Sequence, residues 1–293
     1  MSYEELNKCV STYKETIMAT KKSLKVLCGC ECSQVLTRAF RELGHEAYSC
    51  DLNPAYGPSA SNGWHWQGDV EKVMQEKGPF DLICLFPPCI YLSCVGNRWM
   101  TATNSDGQLK FPDRQKKRDD AIAFVKRIFK DAPAPYVMLE NPKGVLSTQW
   151  KQPNQRVCPT MFGDTMRKTT CLWTKGLPKL NNVGLRAMPD LIRKNNGHIV
   201  NAWHENTKFL PQELATQIRS QLAPCFAQAI ATQYSAHILG VDVPSMPSPK
   251  IESKQILGRP APHEVVSSSS KIDLDSQLHI VVESGGVLNI YRN

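Results

Sequence analysis

The 293-residue chain has no unbroken apolar stretch approaching the roughly 18 residues that a membrane-spanning helix needs. Its start, Met1-Ser2-Tyr3-Glu4-Glu5, has neither the basic region nor the apolar run of a secretory signal. These two absences set the expectation of an intracellular, cytoplasmic protein with no membrane partner. Internal repeats are lacking too. Eleven cysteines are present, with Cys28, Cys30 and Cys32 alternating, but the second matching pair of a structural zinc site is missing. No metal is therefore expected, and in a reducing compartment the thiols should pack as small hydrophobes.

What is there suffices for one substantial core and a small appendage: 41% of the residues are hydrophobic. The net charge of +8 suits an anionic partner such as nucleic acid or a nucleotide. Charge alone fits simple solubility equally well.

Residues 1–20 read as a polar, amphipathic helix. Ser23–Cys28 predicts a strand, and the apolar spacing of Val35, Leu36, Ala39, Phe40 and Leu43 a helix that Gly44 ends. Ala47–Cys50 follows as a second strand stopping at Asp51, which makes a βαβ-sized unit. Further strands are expected at Leu82–Phe86, Val137–Leu139 and Thr169–Trp173, with helices from Gly68-Asp69-Val70 to Lys77, over Asp119–Lys130, and in two pieces over Gln212–Ile238 broken near Pro224. Residues 92–116 read as a polar loop with Trp99 as an isolated aromatic. Alternating strands and helices argue for one doubly wound, mostly parallel α/β domain over 21–240. A Pro/Ser-rich linker at 241–270 then leads to a β-hairpin tail at 271–293, a candidate contact for a partner protein.

Two apolar runs end abruptly on reactive groups. Asp81–Phe86 leads into Pro87-Pro88-Cys89, and Val137-Met138-Leu139 into Glu140-Asn141-Pro142. Ligands of open α/β sheets bind outside the carboxyl ends of the strands, so two such strands side by side present a thiol and a carboxyl group to one pocket. That pair suits covalent attack on an electron-poor ring, with the carboxyl group handling the ring nitrogen. Alone, Cys89 reads as a buried structural thiol and Glu140 as a turn residue; together, on stiff proline-bounded loops, they favour chemistry.

The ordered set resembles the C5-cytosine-specific DNA methyltransferases, most closely a compact phage and prophage type without a full target-recognition domain, over roughly residues 24 to 235. The resemblance implies a class I, Rossmann-like methyltransferase domain, S-adenosylmethionine as cofactor, and DNA, duplex or single-stranded, as partner. Cys89 would attack C6 of cytosine, C5 would take the methyl group from the sulfonium, and elimination would release the enzyme. Glu140, with Asn141 beside it, would hold N3 and the exocyclic amine. The turn Cys28-Gly29-Cys30, the acids Asp51 (ribose) and Asp69 (adenine), Pro87, and the helix led by Pro224 would form the cofactor site. Asp51 and Asp69 taken singly also read as turn or cap residues. Pro88 and Arg167 would meet the substrate, with Arg98 and Trp99 as the wedge that extrudes the base.

The chain departs from the family pattern in three places. Only one glycine stands in the cofactor turn; Ile90-Tyr91-Leu92-Ser93 replaces the residues usual after the nucleophile; and Met166, Lys168 and Thr170 stand where glutamine and two arginines are expected. Lys168 could still hold a phosphate or cytosine O2, or be a solvated lysine. Between the last two motifs only residues 177 to 215 are available for recognition, with Arg186, Arg193, Lys194 and His198 for phosphate contacts and few groups for base readout. The alternatives are methylation of cytosine in RNA or a free nucleotide, or a degenerate, non-catalytic fold that binds nucleic acid or a host protein. A role in masking phage DNA from restriction is implied by the resemblance alone.

Overall fold

Successive residues of a strand face opposite sides of a sheet, and here both sides are apolar. The computed structural model describes Thr12, residues 15–56, 63–182, Pro189, 191–194, 196–241, 278–282 and 288–292. Arg186, most of the N-terminal segment and the Pro/Ser-rich stretch over 242–277 lie outside the described residues.

Strands β1 (Lys25–Gly29), β2 (Glu46–Asp51), β3 (His65–Gln67), β4 (Leu82–Leu85), β5 (Tyr136–Pro142), β6 (Gln155–Val157) and β7 (Thr170–Lys175) form one sheet in the order β3-β2-β1-β4-β5-β7-β6. β1 to β5 are parallel, while β7 runs antiparallel between β5 and β6. This is the doubly wound topology of class I methyltransferases. The helices are α1 (Val35–Glu42), α2 (Val70–Glu76), α3 (Arg114–Asp131), α4 (Leu146–Gln149), α5 (Ala202–Asn206), α6 (Gln212–Ser220) and α7 (Pro224–Leu239).

On one face Val26, Cys28, Cys84, Met138 and Leu172 pack with Leu36 and Phe40 of α1 and Phe226, Ile230 and Tyr234 of α7. On the other Leu27, Ile83, Leu85, Val137, Leu139 and Trp173 pack with Val73 and Met74 of α2 and Ile122, Val125 and Ile128 of α3. Each such large apolar side chain stabilises the fold by about 1.5–3 kcal/mol on burial. α3 starts at Arg114, five residues before the apolar period that announces it at Asp119, because its first turn is held by polar contacts described below.

The chain winds outward from β1 to β2 and β3, then returns to β4 on the other side of β1. The carboxyl ends of β1 and β4 therefore flank a topological switch point, where such sheets bind ligands. Within the short region between the last motifs, β8 (Leu191–Arg193) and β9 (Ile199–Asn201) pair antiparallel ahead of α5. Near the C-terminus β10 (Leu278–Val282) and β11 (Leu288–Arg292) form an antiparallel pair. No helix among the described residues is long and apolar enough to cross a membrane.

Candidate active site

Pro87 is buried and Pro88 exposed on the loop that leaves β4. The Cys89 carbonyl accepts the Leu92 and Ser93 amides at 3.0 and 2.9 Å, so the chain turns back at the thiol. This loop is stapled to the exit of β5. Cys94 N–H donates to the Lys143 carbonyl at 3.0 Å, and Val145 N–H to the Leu92 carbonyl at 2.9 Å. A Cβ at Gly144 would overlap the Leu92 carbonyl, so the crossing requires glycine there. From α3, Arg114 Nη2 donates to the Ile90 carbonyl at 3.1 Å, and Arg118 Nε to the Tyr91 carbonyl at 2.9 Å.

Three ionisable groups converge at this point. Burial raises the Cys89 thiol above its ordinary value, the Lys168 ammonium pulls it down, and the Glu140 charge pushes it up again. Burial likewise raises the Glu140 carboxyl, against the pull of Lys168 and of a hydrogen bond from Thr170. Thr170 has one hydroxyl proton but lies against two acceptors, Glu140 Oε1 and, at 3.1 Å, the Asn141 carbonyl. The Thr170 hydroxyl donates to Glu140, and that bond favours the charged carboxylate. Burial outweighs both pulls, so Glu140 holds a proton more readily than an exposed carboxyl group does. Lys168 Nζ donates to the Arg219 carbonyl at the end of α6 at 3.1 Å, and Arg219 Nε donates to Thr207 Oγ1 at 2.7 Å.

The turn after β1 is built differently from a glycine-rich one. Cys28 is wholly buried in the core, so only its backbone faces the turn. Gly29 is a packing glycine: a Cβ there would lie 2.5 Å from Val70 Cγ2 and 3.0 Å from Leu85 Cδ2. Cys30 takes a left-handed φ of 60°, the conformation that glycine adopts without strain. Glu31, 6% exposed, accepts the Leu36 amide at 2.8 Å and the Thr37 hydroxyl at 2.7 Å, filling the N-terminus of α1. That end is where a dinucleotide's pyrophosphate would sit, and a carboxylate already occupies it. Asp51 Oδ1 accepts the Asn53 amide at 2.9 Å, and burial and the Asp51 charge raise Cys32 and Cys50 each to about 12. The carboxylate acceptors here fit a cofactor that presents hydroxyl and amino donors and no phosphate. Asp69 caps α2 by accepting the Glu71 amide at 2.8 Å.

Of the remaining expected site residues, Pro224 is the first residue of α7. Arg167 is exposed, and its carbonyl accepts Asn201 Nδ2 at 3.1 Å. Arg98 lies 4.8 Å over the Trp99 ring, which meets Phe111 edge-on at 5.7 Å. Trp99 is therefore paired and not isolated. The sequence reading overlooked Glu31, Arg114, Arg118 and Asp164, and noted Thr170 only as a departure. Asp164 accepts the Cys225 and Phe226 amides at 3.1 and 2.9 Å, capping α7 from 61 residues away. Among the described residues no group of three or more His, Cys, Asp or Glu side chains could hold a metal.

No family model matches the chain, and no curated protein matches it. Among solved structures it is similar to monomeric WbdD, with 14% identity and a TM-score of 0.31, over 66% of this chain and 46% of that one. It is similar also to WbdD in complex with the kinase inhibitor LY294002, at 12% identity and a TM-score of 0.32, over 74% and 52%. A third structure, of the bifunctional kinase-methyltransferase WbdD, gives 12% identity and a TM-score of 0.30 over 66% and 44%. This chain spans about half the length of those it matches, and a likeness this loose carries no statement about activity.

Proposed function

We propose that this chain transfers a methyl group from S-adenosylmethionine to C5 of cytosine in DNA, through a covalent bond from Cys89 to C6. The observation that carries this reading is the convergence of Cys89, Glu140 and Lys168 at the carboxyl ends of β4 and β5, close enough for the Lys168 charge to act on both partners and the Glu140 charge on Cys89. Asp51 and the backbone of the Gly29–Cys30 turn, beside the same crevice, would hold the cofactor. S-adenosylmethionine, when bound, supplies an electrophilic methyl group.

The Cys89 thiolate adds to C6, and the electron pair of the C5–C6 bond moves toward C5 and N3. A proton on Glu140 meets the charge growing at N3. Lys168 favours the thiolate before attack. After C5 is methylated, water takes the C5 proton, the C5–C6 double bond re-forms and expels the Cys89 sulfur as thiolate, and N3 returns its proton to Glu140.

A DNA oligonucleotide carrying 5-fluorocytosine should trap the protein as a stable adduct, because fluorine cannot leave C5 as a proton does. The adduct should vanish in Cys89→Ser. Methyl transfer to RNA or to a free cytidine nucleotide, with none to DNA, would move the substrate and keep the site. No adduct and no binding of S-adenosylmethionine by calorimetry would leave a non-catalytic fold.

A further inference from the structure

Where the loop leaving Cys89 meets the start of α3, a cavity of about 180 Å³ opens between Tyr91 and Phe111. Small-molecule pockets usually run to roughly 300–1,000 Å³, so this one admits a single moiety of a larger ligand. Lys110, Arg114 and Lys117 line it against one carboxylate, Asp113. Neither lysine joins the ion pairs formed among the described residues, which are Arg127–Glu71, Lys194–Glu205 and Lys208–Glu205. Asp113 precedes α3 without capping it through its side chain, so the positive end of an 18-residue helix adds to the cationic field.

Aromatic rings interleave with these cations. The Arg114 guanidinium lies 5.1 Å from the Tyr91 ring centroid, and Lys110 Nζ 5.9 Å from that of Phe111. Phe111 continues into Trp99 and Arg98, and the two rings are 40% and 36% exposed. Cations that track a backbone, alternating with rings that stack on bases, are the components of a single-strand nucleic-acid groove. An acidic protein would match the cations but does not present a regular run of planar rings alternating with its charges, as a nucleic-acid strand does.

We propose that this pocket and the Trp99–Phe111 ridge hold unpaired nucleotides of the strand being modified, with phosphates on Lys110 and Lys117 and bases against Phe111 and Trp99. The proposal rests on the reading of Cys89 as a nucleophile toward cytosine in nucleic acid. It gives a physical role to the segment that compensates for the short recognition region. Arg114 reaches both the pocket and the Ile90 carbonyl, so nucleotides held there abut the loop that carries the thiol.

The test is binding of a short fluorescein-labelled single-stranded oligodeoxynucleotide, followed by anisotropy at several salt concentrations, beside the 5-fluorocytosine trap. Lys110→Ala/Lys117→Ala should make the slope of log affinity against log salt shallower by about 1.4, at roughly 0.7 per phosphate contact on a single strand. Lys72→Ala/Lys126→Ala, the same charge change at exposed positions outside the pocket, should leave it unchanged. Phe111→Ala should weaken binding about 5- to 160-fold through lost stacking while leaving the affinity for inorganic polyphosphate unchanged. Unaltered slope and affinity in the pocket variants would overturn the proposal, as would equal losses for polyphosphate and oligonucleotide in Phe111→Ala. If the wild-type protein still traps 5-fluorocytosine DNA while the pocket variants bind normally, only this proposal fails. If trapping fails but the variants lose oligonucleotide binding, the pocket stands and the enzymatic reading falls.

Discussion

Asn141 Nδ2 donates to the Pro87 carbonyl at 2.8 Å, across 54 residues of sequence, with Asn141 only 1% exposed. The bond joins the exit of β5 to the loop that carries Cys89, so the placement of the carboxyl group and of the thiol are one problem with one solution. The Gly144–Ser93 bridge and the Cys94–Lys143 bond repeat the tie farther out.

Asn141→Ala should therefore act on stability and on chemistry together. Leaving the buried Pro87 carbonyl without its donor costs about 1–3 kcal/mol, read as a lower urea midpoint. The rate of adduct formation with 5-fluorocytosine DNA should fall as well, because the thiol loop loses its anchor. A drop in stability with an unchanged adduct rate would reduce Asn141 to an ordinary core hydrogen bond.

Lys168 faces both partners of the chemistry and lowers the pKa of each. In Lys168→Met the Cys89 thiol should ionise at higher pH, and the pH midpoint for its alkylation by iodoacetamide, followed on the Cys89 peptide by mass spectrometry, should move upward. Lys168→Arg should hold the midpoint near that of the wild type. Loss of a donor aimed at developing charge costs on the order of 10²–10³ in rate, and Lys168→Met should fall in that range. A midpoint that stays put in Lys168→Met would remove the ammonium from the mechanism.

The turn after β1 offers a paired stability test. A left-handed φ costs a side-chain-bearing residue roughly 1–2 kcal/mol, while a glycine loses about 0.5–1 kcal/mol more through chain entropy. Cys30→Gly should thus be neutral to about 1 kcal/mol stabilising. Gly29→Ala, one position earlier, should be destabilising by about 1–3 kcal/mol through overpacking against Val70 and Leu85. Urea denaturation of both variants reads the contrast, and a destabilising Cys30→Gly would mean that the thiol's own contacts outweigh the strain.

These contrasts mark how far the sequence is legible. The continuous apolar runs of β4 and β5 and their abrupt ends at Cys89 and Glu140 read out directly, as do the helical spacings of α1 and α7. The start of α3 does not, because Arg114 and Arg118 are held by carbonyls more than twenty residues away. Thr170 reads as a lost arginine until the antiparallel register of β7 sets it opposite Pro142, within a hydrogen bond of Glu140. Asp164 caps α7 from another part of the chain, and no local spacing announces that. Local periodicity reports elements, whereas caps and networks depend on which elements meet.

The pH dependence separates this site from a simple thiolate enzyme. The productive form needs a Cys89 thiolate and a protonated Glu140, yet burial raises the thiol above its ordinary value of 9.0 and leaves the carboxyl group, though also raised from 4.5, the stronger acid. Between the two pKa values most molecules hold the proton on sulfur and the charge on carboxylate. Raising the pH there increases the thiolate in the same proportion as it depletes the acid, so the product of the two stays level. Below the Glu140 pKa the thiolate falls with no further gain in acid; above the Cys89 pKa the acid falls with no further gain in thiolate. The profile of kcat/KM should thus be a plateau between the two pKa values with one falling limb at each end, the acid limb lying at higher pH than for an ordinary carboxyl group. In Glu140→Gln the neutral amide does not titrate, the activity should fall on the order of 10²–10⁴, and the residual rate should climb with pH up to the Cys89 pKa. A wild-type profile that climbs without a plateau up to the Cys89 pKa would show that Glu140 contributes no proton to the reaction.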